Sequence, residues 1–150
     1  ETQLADAESA APRLGITVRP YRATNPAELD RALAALADDG MEGLVSFQGA
    51  LSIQRRALIA EFAATKRLPA LYQSRFFIQA GGLMAWAPDQ EEQYREAARY
   101  VDRILDGAKP GDLPVQHPTR YAFVVNTRVA AALGLALPAA LLAQAERVES

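Results

Sequence analysis

The sequence contains no cysteine and a single histidine, His117, in 150 residues. The first absence excludes disulfide frameworks, thiol nucleophiles and cysteine-ligated zinc or iron–sulfur centres; the second excludes a multi-histidine metal site. Lysine is scarce: two Lys and fourteen Arg oppose eighteen acidic residues, for a net charge of -2. No basic stripe forms, so a nucleic-acid backbone has no electrostatic partner here. No apolar run approaches the roughly 18 residues a membrane-spanning helix needs. Catalytic signatures are missing as well. There is no Gly-x-Ser-x-Gly elbow, no Gly-Lys-Ser/Thr phosphate loop and no Gly-x-Gly-x-x-Gly turn. The carboxylate pair Asp38–Asp39 falls at a helix end and the pair Glu91–Glu92 in a first helical turn, where solvation and the helix dipole account for them. The expectation is a binder, not an enzyme, with no cofactor and no metal.

What is present is the material of a globular chain of one domain's size, 50% hydrophobic and 23% charged. Folding at this length buries roughly 70% of the surface the unfolded chain exposes. The chain opens with Glu1, and Leu4, Ala7, Ala11 and Leu14 already recur at helical spacing before Gly15 stops the pattern. Such an opening reads as a piece of something longer. Ile16–Val18, closed by Pro20, then reads as a short strand. Asn25-Pro26-Ala27-Glu28 supplies an N-cap, a proline at the first helical position and a glutamate at the third, opening a helix that buries Leu29, Ala32, Leu33 and Leu36 before Gly40.

Elements continue to alternate. Strands are expected at 43–47, 69–72, 83–87 and 121–125. Helices are expected from Leu51 through Lys66, from Asp89 to Gly107, from Thr127 to Leu133, and from Pro138 to about Val148. The segment 109–118 holds three prolines and is irregular. Short strands alternating with long helices predict an α/β fold on one parallel sheet.

In open parallel sheets ligands bind beyond the carboxyl ends of the strands. That rule selects Phe47, Gln48 and Gly49, then Tyr72, Gln73, Ser74 and Arg75, then Trp86, Pro88 and Asp89, and finally Asn126 and Thr127. Aromatic faces, amides, a hydroxyl and one charge of each sign suit a small, partly apolar ligand with polar ends, such as an amino acid. Each candidate also has a plainer role. Phe47 and Tyr72 suit core packing, Arg75 a surface pair, and Asp89 a helix N-cap. Nothing local requires Gln48, which makes it the best small polar candidate.

The stretch Leu68-Pro-Ala-Leu-Tyr-Gln-Ser-Arg-Phe-Phe-Ile-Gln-Ala-Gly-Gly-Leu-Met-Ala-Trp-Ala-Pro-Asp89 resembles a signature of the ABC-transporter substrate-binding protein family that includes aromatic amino-acid binders. Tyr100-Val-Asp-Arg-Ile-Leu-Asp-Gly-Ala-Lys-Pro-Gly-Asp-Leu-Pro-Val115 is similar to the block that follows it there. Phe123-Val-Val-Asn126 and Ala132-Leu-Gly-Leu-Ala-Leu-Pro138 are similar to the family's C-terminal end. The resemblance implies a type I periplasmic binding protein: two three-layer α/β/α lobes joined by three crossovers and closing on a ligand. Only the C-terminal half is present, without the strand that would precede the first helix. By the resemblance, 1–86 and 121–150 form the second lobe, and 87–120 is a crossover segment and helix belonging to the first. Carried over by position, the ligand-binding residues fall on Phe47, Gln48, Tyr72, Ser74, Arg75, Trp86 and Asp89.

Two departures bear on the ligand. Phe47-Gln48-Gly49 stands where the family often has Pro-Asp-Pro, so an acid that could meet a ligand amine is absent. Gln73-Ser74-Arg75-Phe76 stands where Gly-Phe-Arg-Glu is frequent, and only the Arg matches. The resemblance implies a non-catalytic solute-binding component of an ABC importer, periplasmic by secretion or lipid anchoring, although this chain carries no signal segment. Its partners would be a permease subunit and an aromatic or apolar amino acid or related carboxylate, with exposed sheet edges inviting a second copy of the fragment. An effector-sensing domain of a transcriptional regulator is the main alternative, and a flavodoxin-like enzyme domain the lesser one.

Overall fold

A computed structural model describes residues 2–148; residues 1, 149 and 150, which the helix, lobe and final-segment boundaries above touch, lie outside the described residues. The elements are α1 (Thr2–Leu14), α2 (Pro26–Asp38), β1 (Leu44–Ser46), α3 (Ala50–Gln54), α4 (Arg56–Thr65), β2 (Ala70–Tyr72), α5 (Phe76–Gln79), β3 (Met84–Pro88), α6 (Gln90–Leu105), β4 (Tyr121–Asn126), α7 (Thr127–Ala132), α8 (Ala139–Gln144) and β5 (Glu146–Val148), with one 3₁₀ turn at Pro110–Asp112. None of the helices among the described residues is long and apolar enough to cross a membrane.

Local chemistry explains the helix ends. The Asn25 side chain accepts the Glu28 N–H at 3.0 Å, while Glu28 takes both the N–H and the hydroxyl of Thr24 at 2.7 Å. These bonds pair backbone donors that the first turn leaves open, and they hold the Glu28 carboxyl below its ordinary range. At the far end of α1, Gly15 adopts φ +66 and Ile16 N–H returns to the Ala11 carbonyl at 3.2 Å, a closure that a side chain at residue 15 would strain. Asp39 is not merely solvated. It accepts the Tyr21 hydroxyl at 2.5 Å and pairs with Arg19 at 2.7 Å, so its carboxyl is held below the usual range and residues 19–21 are tied to the end of α2.

Five strands form one sheet in the order β1-β2-β3-β4-β5. Every pairing is parallel except β3 with β4, which run antiparallel with Trp86 opposite Phe123 and Pro88 opposite Tyr121. The exception has a geometric cause. The chain leaves the sheet after Pro88, travels through α6 and the irregular segment, and re-enters beside its point of exit, where Asp89 N–H donates to the Arg120 carbonyl at 3.0 Å. A chain returning next to its own exit can only run backwards.

One sheet face is covered. Leu29, Leu33 and Leu36 of α2, Ile59 and Ala63 of α4, and Phe77 and Ile78 of α5 close over Ala70, Tyr72, Ala85 and Val124. The opposite face is open towards the strand ends, with Val45, Trp86 and Tyr121 each about half exposed.

Several expectations are corrected. Ile16–Val18 is β-prone but forms no strand, because a strand needs a ladder partner and none lies beside it among the described residues. The helix expected over 51–66 breaks at Arg55 (φ -101, ψ 19) into α3 and α4. The last helix stops at Gln144, and Glu146–Val148 pairs with β4 instead. The cap of α7 is Asn126, which accepts the Val129 N–H at 3.0 Å, rather than Thr127. Helix α5 was not expected at all.

Candidate functional site

Because β1, β2 and β3 are parallel, their carboxyl ends gather residues 47–49, 73–75 and 88–89 along one margin of the sheet. The loops there are knitted together. Gln73 N–H donates to the Ser46 carbonyl at 3.3 Å, Gln48 N–H donates to the Gln73 side-chain oxygen at 3.2 Å, and the Ser52 hydroxyl donates to the Phe47 carbonyl at 3.0 Å. Since β4 runs the other way, its first residues, Tyr121 and Phe123, join this margin, while its carboxyl end does not. Asn126 and Thr127 therefore fall at the opposite end of the sheet, where Asn126 is buried and donates its N–H to the Leu83 carbonyl at 2.8 Å.

Strand alternation sorts the candidates further, since successive side chains take opposite faces. Tyr72 pairs in register with Ala85, and Ala85 with Val124, all on the covered face. One residue on, Trp86 pairs with Phe123 on the open face, and Phe47 and Gln73 follow directly on the ends of β1 and β2 beside them. Trp86 is half exposed, and Phe47, Gln73 and Phe123 are partly so. The Trp86 ring lies 6.2 Å from Tyr121 at 16° between planes and 5.7 Å from Phe123 at 46°.

Two expected contacts, Tyr72 and Ser74, are thereby corrected, and Arg75 has a partner within the chain. Tyr72 is completely buried and stacks on Phe77 at 4.3 Å, so it is core. Ser74 is 4% exposed and its hydroxyl accepts the Phe76 N–H at 3.3 Å, so it turns the chain into α5. Arg75 reaches Glu146 at 2.9 Å and ties the start of α5 to β5. Asp89 fills its local role: one carboxylate oxygen accepts the N–H groups of Glu91 and Glu92, and the other lies 3.7 Å from Arg120. Phe47, Gln48, Trp86 and Asp89 are brought to one margin as expected. Gln73, Tyr121 and Phe123 join them unforeseen; register parity would have found the first, and the reversal of β4 the other two.

The Tyr72 hydroxyl is buried with no hydrogen-bond partner among the described residues. Burial pushes its pKa up to about 12, whereas in the unfolded chain it titrates near 10. Stability linked to this group is thus fully present below pH 10 and is lost as pH rises towards 12. Tyr72→Phe is expected to raise stability by about 1 kcal/mol at pH 7, because it removes an unsatisfied buried polar atom. It should also flatten the alkaline loss; unfolding in urea at pH 7 and pH 11 measures both effects.

A cleft of about 870 Å³ lies between α6 and the segment leading into β4, with Tyr100, Ile104, Leu113 and His117 in its walls. None of the expected ligand residues lines it. Among the described residues no group of three His, Asp or Glu side chains converges as a metal site.

Fold and margin together define a class: an α/β lobe built on one mostly parallel sheet and open along the carboxyl ends of its parallel strands. The chain belongs to the ABC transporter substrate binding protein family, whose model matches residues 2–149. Three solved structures are similar over 99% of this chain and 50% of their own length. A conserved domain protein from Vibrio cholerae O1 biovar El Tor is 22% identical with a TM-score of 0.87. The ABC domain in complex with L-Trp from Streptococcus pneumonia is 20% identical, also at 0.87. The ligand-free, open structure of a substrate binding protein with adhesive properties from Clostridium difficile is 18% identical at 0.70. The chain thus spans about half the length of the structures it matches. Comparison with curated protein sequences finds no significant match.

Proposed function

We propose that this chain is the C-terminal half of a solute-binding component of an ABC importer, which holds an amino acid or related carboxylate of aromatic or apolar character between two lobes. One observation carries the reading: the excursion through residues 89–120 leaves and re-enters the sheet at a single margin and buries none of its own helix. Tyr94 of α6 is 76% exposed and Leu105 81%, and the helix has no buried residue. A helix whose apolar residues stay this exposed, with only the irregular return segment beside it, calls for a second body. In this reading 1–86 and 121–150 form one lobe, while 87–120 cross to the other lobe, which covers α6 and closes the large cleft.

Two strand-end passages side by side, Pro88–Asp89 and Arg120–Tyr121, would act as part of the hinge. Ligand contacts made by both lobes only in the closed form shift the population towards it, and the permease would recognise that form. No reaction is involved, and the working place is outside the cytoplasmic membrane. The L-Trp complex of the pneumococcal neighbour supports the choice of ligand class.

Thermal unfolding of the full-length gene product against amino acids and aromatic carboxylates tests the reading. A ligand at about 100 times its dissociation constant adds roughly 2.7 kcal/mol, a shift of several degrees. A shift with one chemical class is the expected result. A folded protein indifferent to the whole panel would overturn the solute assignment.

A further inference from the structure

The two charged side chains expected to meet a ligand are both engaged within the chain. Arg75 is held by Glu146 at 2.9 Å on the covered side of the sheet. Asp89 caps α6 with one oxygen and faces Arg120 with the other. The rings that the margin leaves open are neutral. Trp86 and Tyr121, 48% and 50% exposed, lie within 16° of parallel, and Phe123 packs beside Trp86. Phe47 and Gln73, both partly exposed, stand at the adjoining ends of β1 and β2. The Gln73 oxygen is taken by Gln48 N–H, which turns its NH₂ group into the donor that remains.

Resting on the solute-binding reading, we infer that this lobe reads the uncharged planar ring of the ligand and leaves any ammonium or carboxylate group to the opposite lobe. Tyr121 and Phe123 are then specificity-determining residues alongside Trp86. The physical reason is desolvation. A charged group pressed against Trp86 and Phe123 would lose water without gaining a counter-charge, since the nearby charges already neutralise one another. An aromatic ring loses little and gains offset stacking and apolar burial on a surface held flat by the β3–β4 ladder. The amides of Gln48 and Gln73 can hydrogen-bond a ring substituent without demanding charge.

Calorimetric titration of the full-length gene product with L-tryptophan and L-leucine tests the assignment. Trp86→Leu and Tyr121→Leu are each expected to weaken L-tryptophan binding about tenfold, the scale of one lost stacking partner. L-Leucine binding should change less than about threefold, so the preference for the ring collapses. Trp86→Phe keeps a flat ring and should return affinity to within about threefold of the starting protein, which guards against a variant that merely misfolds. Arg75→Ala should leave L-tryptophan affinity within about twofold, because the guanidinium serves Glu146. Unchanged L-tryptophan affinity in both leucine variants, or a tenfold loss in Arg75→Ala, would overturn the inference while leaving solute binding intact. A starting protein that binds L-leucine but not L-tryptophan would do the same. Binding of neither would overturn the inference together with the amino-acid reading beneath it.

Discussion

Phe77→Ala is expected to destabilise the protein by about 4 kcal/mol, lowering the thermal midpoint by roughly 8–16 °C for a chain of this size. Phe77 belongs to a four-residue helix that nothing in the local pattern announces, yet it is completely buried and stacks on Tyr72 with the rings 4.3 Å apart and 10° from parallel. Its removal opens a cavity between β2 and α5 and takes away the stack that shields an unpartnered hydroxyl. Because the hydroxyl is then no longer shielded, Tyr72→Phe should gain less in the Phe77→Ala background, so the double variant should cost more than the sum of the separate effects predicts. Scanning calorimetry of the two single variants and the double variant measures this directly.

Gly82→Ala is expected to cost about 3 kcal/mol, although only one methyl group is added. The reason is distance. A Cβ on residue 82 would stand 2.7 Å from the Phe77 carbonyl oxygen and 2.7 Å from a ring carbon of Tyr72. The first is backbone, and it already accepts the Gly82 N–H at 2.7 Å; the second is fixed in the core. Neither can retreat without unpicking α5. Gly81→Ala, one residue earlier, would meet no neighbouring atom but would carry the strain of φ +88, so its effect should be smaller. Equal midpoints for Gly82→Ala and the unaltered protein in urea unfolding would show that the turn is looser than described.

Much of the fold was legible because it is written in local chemistry. Asn25-Pro26 with Glu28, Asp89 with the acidic first turn behind it, and Gly15, Gly40, Gly107 and Gly134 after α1, α2, α6 and α7 all do in three dimensions what their spacing implied. The errors arise where the outcome depends on a distant partner. Ile16–Val18 has the residues of a strand and no neighbour to pair with. Glu146–Val148 continues a helical pattern, but the free edge of β4 offers hydrogen bonds that outweigh it.

The candidate site shows the same division. The rule of strand carboxyl ends located the margin, and Phe47, Gln48, Trp86 and Asp89 are there. It could not say which face each residue would take. Tyr72 and Gln73 are adjacent in sequence, and only the register with Ala85 shows that the tyrosine enters the core while the glutamine stays partly exposed. Asn126 was misplaced for a related reason: the direction of β4 follows from the return path of residues 89–120, and composition alone does not reveal it.

The central claim is that a small ligand binds along the margin built from the ends of β1, β2 and β3 and the start of β4. Amide hydrogen exchange on the full-length gene product, with and without saturating L-tryptophan, tests it most directly, because slowed exchange reports where backbone opening is suppressed. The account predicts protection of residues 46–49, 72–75, 86–89 and 120–123, with the α2 core unchanged. Protection confined to other segments, or none at all along this margin, would contradict it.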